Sequence, residues 1–273
     1  MPRALCATSK NPREDQTMSS AFTSIAGYRK APFTATCANG VRISHDVYRR
    51  GSGAPVVIIQ ELPGIGPETL RLADEFVERG FEVVLPHLFG PLEKVSIGGN
   101  LLRVFCMRRE FSLFEAQRSS PIVDWLKALC RDIKAQGHCR GVGVIGMCLT
   151  GNFAISLMGD DSVLAAVSSQ PSMPLMKAAQ LHMSGEEIVT VRKRIDATAP
   201  IHTYRFERDP MCNAVKYKAI ETAFNNDGVT RVHTHTLPGK GHSVLTLDFV
   251  DEQGHPTRTA LDEILAYFTT QLQ

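Results

Sequence analysis

The sequence predicts an α/β domain: a mostly parallel central sheet with helices on both faces, entered through an N-terminal antiparallel hairpin. Three observations predict it. Apolar, β-branched runs at Ala54–Gln60 and Val142–Ile145 are continuous rather than alternating, as in strands buried on both faces. Helical stretches alternate with the strands along the chain, the pattern of parallel strands joined by helical crossovers. Asn39-Gly40, between the strand-like runs Phe33–Cys37 and Val41–Tyr48, is a strong hairpin signal.

The totals agree. The 273 residues suffice for one large domain with a sizeable core, and no linker divides them. Hydrophobic content of 43% and charged content of 21% are ordinary for a soluble globular protein. A net charge of +2 gives no general attraction to nucleic acid. No segment reaches the roughly 18 apolar residues of a membrane span. Neither a nucleic acid nor a membrane is therefore expected as a partner. Cysteine occurs seven times, an odd number at irregular spacing, which fits a reducing compartment and a cytoplasmic location rather than a disulfide framework.

The elements follow in order. Residues 1–27 mix Pro, Ser, Lys, Arg and Glu without periodicity; they are expected to form a disordered extension, with Met18 a second candidate start. They lack the apolar core of a secretion signal. Residues 28–273 form the single domain. After the hairpin and the strand Ala54–Gln60, Glu61–Gly66 is a loop, and Pro67–Arg79 is an amphipathic helix stopped by Gly80. Phe81–Leu85 is a strand closed by Pro86, Gly90–Asn100 a loop, and Leu101–Gln136 largely helical with a break near Pro121. Beyond the strand Val142–Ile145 come a helix at Asn152–Met158 and a strand at Val163–Ser169. An irregular segment at Pro171–Leu181 and a helix at Gly185–Ala197 follow. A strand at Ile201–Phe206, a helix at Asn213–Asn226, a strand at Thr230–Leu237 and a closing helix at Pro256–Leu272 complete the domain.

The stretch Gly146-Met147-Cys148-Leu149-Thr150-Gly151 ends a buried strand and opens a helix. Strand, sharp turn and helix are the context of a nucleophile elbow, with Cys148 where Gly-x-Ser-x-Gly enzymes carry serine. The glycines allow a strained backbone at the tip and close approach of strand and helix. The tip also sets Cys148 at a helix N-terminus, where the dipole favours the thiolate. A competing reading as a dinucleotide-binding turn puts the Cys148 side chain where the pyrophosphate must approach. It also lacks the acidic residue expected about 20 residues on, because the next strand ends Val167-Ser168-Ser169-Gln170. A buried structural cysteine in a tight turn is the remaining alternative.

In open α/β sheets ligands bind at the carboxyl ends of the strands. Glu61, Cys148, Asp209 and His242 each follow a predicted strand. Nucleophile, acid, then base is the chain order of the α/β-hydrolase triad. His242 lies in the flexible loop Gly239-Lys240-Gly241-His242, where a surface histidine is the alternative. Asp209 precedes Pro210, which turns its backbone out of helix; it also suits a cap for the following helix. Glu61 follows an apolar run and is costly to bury without a partner, so it is either held by one or solvated in its loop.

Other clusters carry less. Cys130, His138 and Cys139 do not repeat as metal pairs. His233 and His235 share a strand face and read as exposed edge positions. Arg103, Arg108 and Arg109 read as a solvated helix face, with an anionic substrate as the alternative. Trp125 and Leu126 fit a core stripe.

The set Gln60-Glu61, Gly146–Gly151, Asp209 and Gly241-His242-Ser243, with Pro86-His87-Leu88-Phe89-Gly90, resembles the dienelactone hydrolase family from about Phe33 to the C-terminus. The resemblance implies an α/β-hydrolase fold with Cys148 as nucleophile, His242 as base and Asp209 as orienting acid. It implies that Glu61 engages the resting thiol, and that the Leu62 and Leu149 amides form the oxyanion hole. Two positions depart from the family. Thr150 stands where glycine is usual and is expected to tilt the elbow. Thr246 stands where dienelactone-cleaving members place an arginine that holds the substrate carboxylate, so the resemblance carries the triad but not that substrate. The expectation is a cysteine-dependent hydrolase of a small ester or lactone, working without metal or cofactor, as a monomer or small homo-oligomer. A hydrolase-like fold that binds without catalysing is the alternative.

Overall fold

The computed structural model describes residues 22–106, 120–137, 139–174 and 177–273. Eight strands form one sheet: β1 (Arg29–Thr36), β2 (Arg42–Gly51), β3 (Pro55–Ile59), β4 (Glu82–His87), β5 (Val142–Met147), β6 (Val163–Ser169), β7 (Ile201–Phe206) and β8 (Val232–Leu237). Their order is β1-β2-β4-β3-β5-β6-β7-β8. β2 runs antiparallel to both β1 and β4, and the remaining pairs are parallel. The predicted hairpin and mostly parallel sheet are both present.

The helices are α1 (Pro67–Glu78), α2 (Ile97–Cys106), α3 (Pro121–Gly137), α4 (Gly151–Leu157), α5 (Gly185–Ala197), α6 (Ala214–Phe224) and α7 (Pro256–Leu272). Each face of the sheet carries its own core. Leu70, Ala73 and Phe76 of α1 and Leu261, Ile264 and Phe268 of α7 pack on one face. Trp125, Leu126 and Leu129 of α3, with residues of α4, α5 and α6, pack on the other. β3 and β5 are buried throughout, because helices cover them on both sides. Gly143 of β5 is needed for this packing: a Cβ there would lie 2.7 Å from the Phe268 ring.

Several boundaries differ from the sequence expectation. β4 continues through Pro86, which pairs with Val47 of β2. On the other side the β3 ladder stops at Val57–Val84, so the missing proline donor interrupts nothing there. Helix α2 begins at Ile97, inside the expected loop; Gly98-Gly99, poor helix formers, hid its start. Residues 107–119, including Arg108 and Arg109, and His138 lie outside the described residues. So do residues 1–21 of the expected extension. Its last residues lie against the domain, with Thr23 N donating to Asp74 at 2.7 Å and Ile25 N to Glu93 at 2.8 Å. No helix among the described residues is long and apolar enough to cross a membrane.

Candidate active site

β5 ends at Met147, and a 3-10 turn over Cys148–Thr150 leads directly into α4. Cys148 sits at the bend with φ of 55°, a left-handed conformation that costs a non-glycine residue roughly 1–3 kcal/mol. The flanking glycines make the bend possible. A Cβ on Gly146 would lie 2.1 Å from the Thr150 carbonyl oxygen, and one on Gly151 would lie 2.9 Å from the Ser169 oxygen. Thr150 does not disturb the turn. Its hydroxyl accepts from Met147 N at 3.0 Å and reaches the carbonyls of Met147 at 2.9 Å and Ile59 at 3.2 Å. It therefore braces the bend against β3, a role glycine does not offer.

The predicted acid and base meet at the same edge of the sheet. Asp209 follows β7 and is buried at 3% exposure. Its Oδ1 accepts the amides of Met211 at 2.8 Å and Cys212 at 2.9 Å, which fixes the carboxylate ahead of α6. The Nδ1–H of His242 donates to this carboxylate, 2.8 Å from Oδ2 and 3.0 Å from Oδ1. Capping and orienting thus coexist in Asp209. The histidine loop is itself pinned: Asp248 Oδ2 accepts the amides of His242 at 2.8 Å and Ser243 at 2.9 Å. Gly241 packs where a Cβ would fall 2.9 Å from the Phe206 ring.

The other ring nitrogen, His242 Nε2, is buried and makes no hydrogen bond. The Cys148 thiol lies near enough to act on its titration without reaching hydrogen-bond distance. Burial alone would lower the ring's pKa. The bond to Asp209 and the neighbouring Cys148 outweigh burial and push it up to about 10.

Glu61 is 1% exposed and is not solvated. Its carboxylate accepts from the hydroxyls of Thr246 and, at 3.1 Å, Ser243, and from Gln170 Nε2 at 3.4 Å. Burial raises its pKa despite these donors and the nearby His242. The expected bond from Glu61 to the thiol is not made. The sulfur instead lies 3.5 Å from the Ser172 hydroxyl. Three buried hydroxyl and amide donors already saturate the carboxylate's near side, which leaves it tied to the histidine loop rather than to the elbow.

The loop after β3 carries Leu62. Gly64 N donates to the Glu61 carbonyl at 3.0 Å, which sets the plane of the Glu61–Leu62 peptide and aims the Leu62 amide the opposite way. The Leu62 and Leu149 amides do not pair with backbone carbonyls. Asn100 of α2 holds this loop from behind, donating from Nδ2 to the carbonyls of Leu62 at 3.0 Å and Pro63 at 3.2 Å. Gln60 ties it to the segment after β4, through Phe89 O at 2.9 Å and Leu88 N at 2.9 Å. Asn100, Gln170, Ser172 and Asp248 have no motif around them, and sequence reasoning passed over all four. Only the glycine pair before Asn100 and the proline after Gln170 hinted at special backbone there.

The remaining candidates lie elsewhere. Arg103 donates to Asn100 Oδ1 at 3.0 Å. Cys130 is buried on α3 while Cys139 is partly exposed. His233 is exposed, but His235 is half-buried and its Nε2 lies 3.1 Å from His202 Nδ1, so the edge strand carries a histidine cluster rather than isolated surface rings.

Comparisons with known proteins fit this geometry. The chain aligns with solved structures of similar fold. One is a dienelactone hydrolase from Anabaena variabilis (14% identity, 90% of this chain and 100% of that one, TM-score 0.55). Another is a cold-adapted esterase from an Arctic intertidal metagenomic library (16%, 97% and 100%, TM-score 0.57). A third is an esterase from Pyrococcus furiosus (12%, 91% and 95%, TM-score 0.57). No curated protein matches in sequence. The model of the dienelactone hydrolase family matches residues 46–271, from β2 to the end of α7. The chain belongs to the dienelactone hydrolase family of carboxylic ester hydrolases.

Proposed function

We propose that the chain hydrolyses small carboxylic esters or lactones through a thioester on Cys148, with His242 as acid and base and Asp209 as its orienting partner. One observation carries the reading. His242 is anchored at Nδ1 by a buried carboxylate 2.8 Å away, while its Nε2 faces the side of Cys148 without a hydrogen bond. That is the arrangement of a base waiting for a proton.

The proton of the Cys148 thiol passes to His242 Nε2, and the thiolate attacks the ester carbonyl. The oxyanion is taken up by the Leu62 and Leu149 amides, each worth roughly 3–4 kcal/mol where such donors have been removed. As the carbon–oxygen bond breaks, His242 returns its proton to the leaving alkoxide, and the acyl group remains on sulfur. The acylated sulfur carries no charge, so its contribution to the raised pKa of His242 disappears and the ring becomes a better base. It then deprotonates water, hydroxide adds to the thioester, and the acid departs as Cys148 regains its proton. Thr246 is engaged with Glu61 and offers no cation, which favours substrates without a carboxylate at that position.

The test is Cys148→Ala against p-nitrophenyl esters and lactones of varied chain length and charge. Activity should fall by about 10³-fold or more with the fold retained. Full activity in that variant refutes the reading.

A further inference from the structure

We propose that Ser172 is the positioning residue that holds the resting thiol away from His242, the task the family resemblance gave to Glu61. This rests on Cys148 being the nucleophile. The sulfur lies 3.5 Å from Ser172 Oγ, the partner it has among the described residues. His242 Nε2 has none, and the Glu61 carboxylate is occupied by Thr246, Ser243 and Gln170. The thiol is therefore parked on a neutral hydroxyl, with its base vacant beside it.

Ser172 is well built for that duty. It is 5% exposed, and its amide donates to the Cys148 carbonyl at 3.1 Å, so its backbone is fixed to the residue whose side chain it holds. The segment is pinned on both flanks. Before it, Gln170 adopts φ of 36°, and its amide donates to the Tyr204 carbonyl. After it, the buried ammonium of Lys216 donates to the carbonyls of Met173 at 2.8 Å and Gln180 at 2.7 Å. A hydroxyl held this rigidly loses little entropy in making a weak bond to sulfur. Rotation about the Cys148 Cα–Cβ bond then exchanges one partner for the other: the S–H···O contact is given up, and the thiol proton passes to Nε2 with the S–H bond breaking as N–H forms. A neutral parking partner keeps the free enzyme's sulfur protonated and slow toward stray electrophiles, whereas a substrate that crowds the hydroxyl releases it.

The experiment is alkylation of the resting protein by iodoacetamide across pH, read peptide by peptide in mass spectrometry. Burial pushes the thiols of Cys130 and Cys212 up, so they compete little. Ser172→Ala should label Cys148 roughly three- to tenfold faster near neutral pH, the range one neutral hydrogen bond is worth, with the profile displaced toward lower pH. Ser172→Thr, which keeps a hydroxyl, should restore slow labelling. Unchanged or slower labelling in Ser172→Ala overturns the proposal, as does a larger effect of Glu61→Gln. Esterase assay of Cys148→Ala separates the two readings. If that variant is dead while Ser172→Ala labels like the parent, only the role of Ser172 fails; if it is fully active, the nucleophile assignment itself fails.

Discussion

Cys148 stands in a backbone conformation that only its surroundings can sustain, and each neighbour supplies part of the support. Gly146 and Gly151 give room, and the Thr150 hydroxyl ties the bend to β3. Gly146→Ala should therefore cost more than about 3 kcal/mol, because a carbonyl oxygen 2.1 Å away must move. A urea denaturation midpoint equal to the parent's would contradict that. Asp209→Asn makes a finer test. An asparagine keeps the Oδ1 that accepts the Met211 and Cys212 amides, but it loses the charge that stabilises imidazolium and fixes its tautomer. Activity should drop roughly 10²- to 10⁴-fold with the circular dichroism spectrum unchanged. The pH dependence has a definite sign. His242 is raised from its ordinary 6.5 to about 10, so its contribution to stability is full below pH 6.5 and is lost as pH rises through about 10. Denaturation midpoints should fall across that window in the parent and fall less in Asp209→Asn. At this scale the triad was legible because strand ends concentrate chemistry and chain order restricts the roles. Ser172, Gln170 and Asp248 were not, since their meaning comes from partners on other elements, such as the amide of His242 for Asp248.

Elements hold the site's parts in register. Helix α2 contributes Asn100, which grips the Leu62 and Pro63 carbonyls and so steadies the proposed oxyanion loop. Asn100→Ala should lower kcat more than it raises KM, by roughly tenfold or more, because the loop's amide is needed most in the transition state. An effect confined to KM would move Asn100 to substrate binding. The start of α2 escaped the sequence because Gly98-Gly99 imitate a loop. At the far edge, β7 and β8 pair His202 with His233 and Tyr204 with His235. Burial, with the neighbouring His235 and His233, lowers His202 to about 4. A base depressed in the folded state leaves stability untouched above pH 6.5 and subtracts from it as pH falls toward about 4. Allowing for the partial solvation of this cluster, the loss should be about 1–2 kcal/mol. His202→Phe should flatten the acid limb of a stability–pH curve, with Tyr204 and Tyr267 still packed around the ring's position; an unaltered limb would contradict it.

Across the whole molecule the sheet works as a jig. Two cores, one on each face, hold β3, β5 and β7 side by side so that their carboxyl ends, 61, 148 and 209 in the chain, open onto one rim. Alternation of buried strands and helices made this architecture readable from residues such as Val56–Ile59 and Val142–Ile145, whose runs suit only a doubly covered strand. Which side chain the thiol touches at rest was not readable, because that depends on side-chain geometry inside a family-wide frame.

The most direct measurement is to quench the protein during turnover of p-nitrophenyl acetate and map the acetyl group by peptide mass spectrometry. The account predicts one acetyl on the peptide containing Cys148, none in Cys148→Ala, and persistence of the label in His242→Ala after acylation. Turnover at the parent rate in Cys148→Ala, or acetyl transiently carried on a different residue, would contradict it.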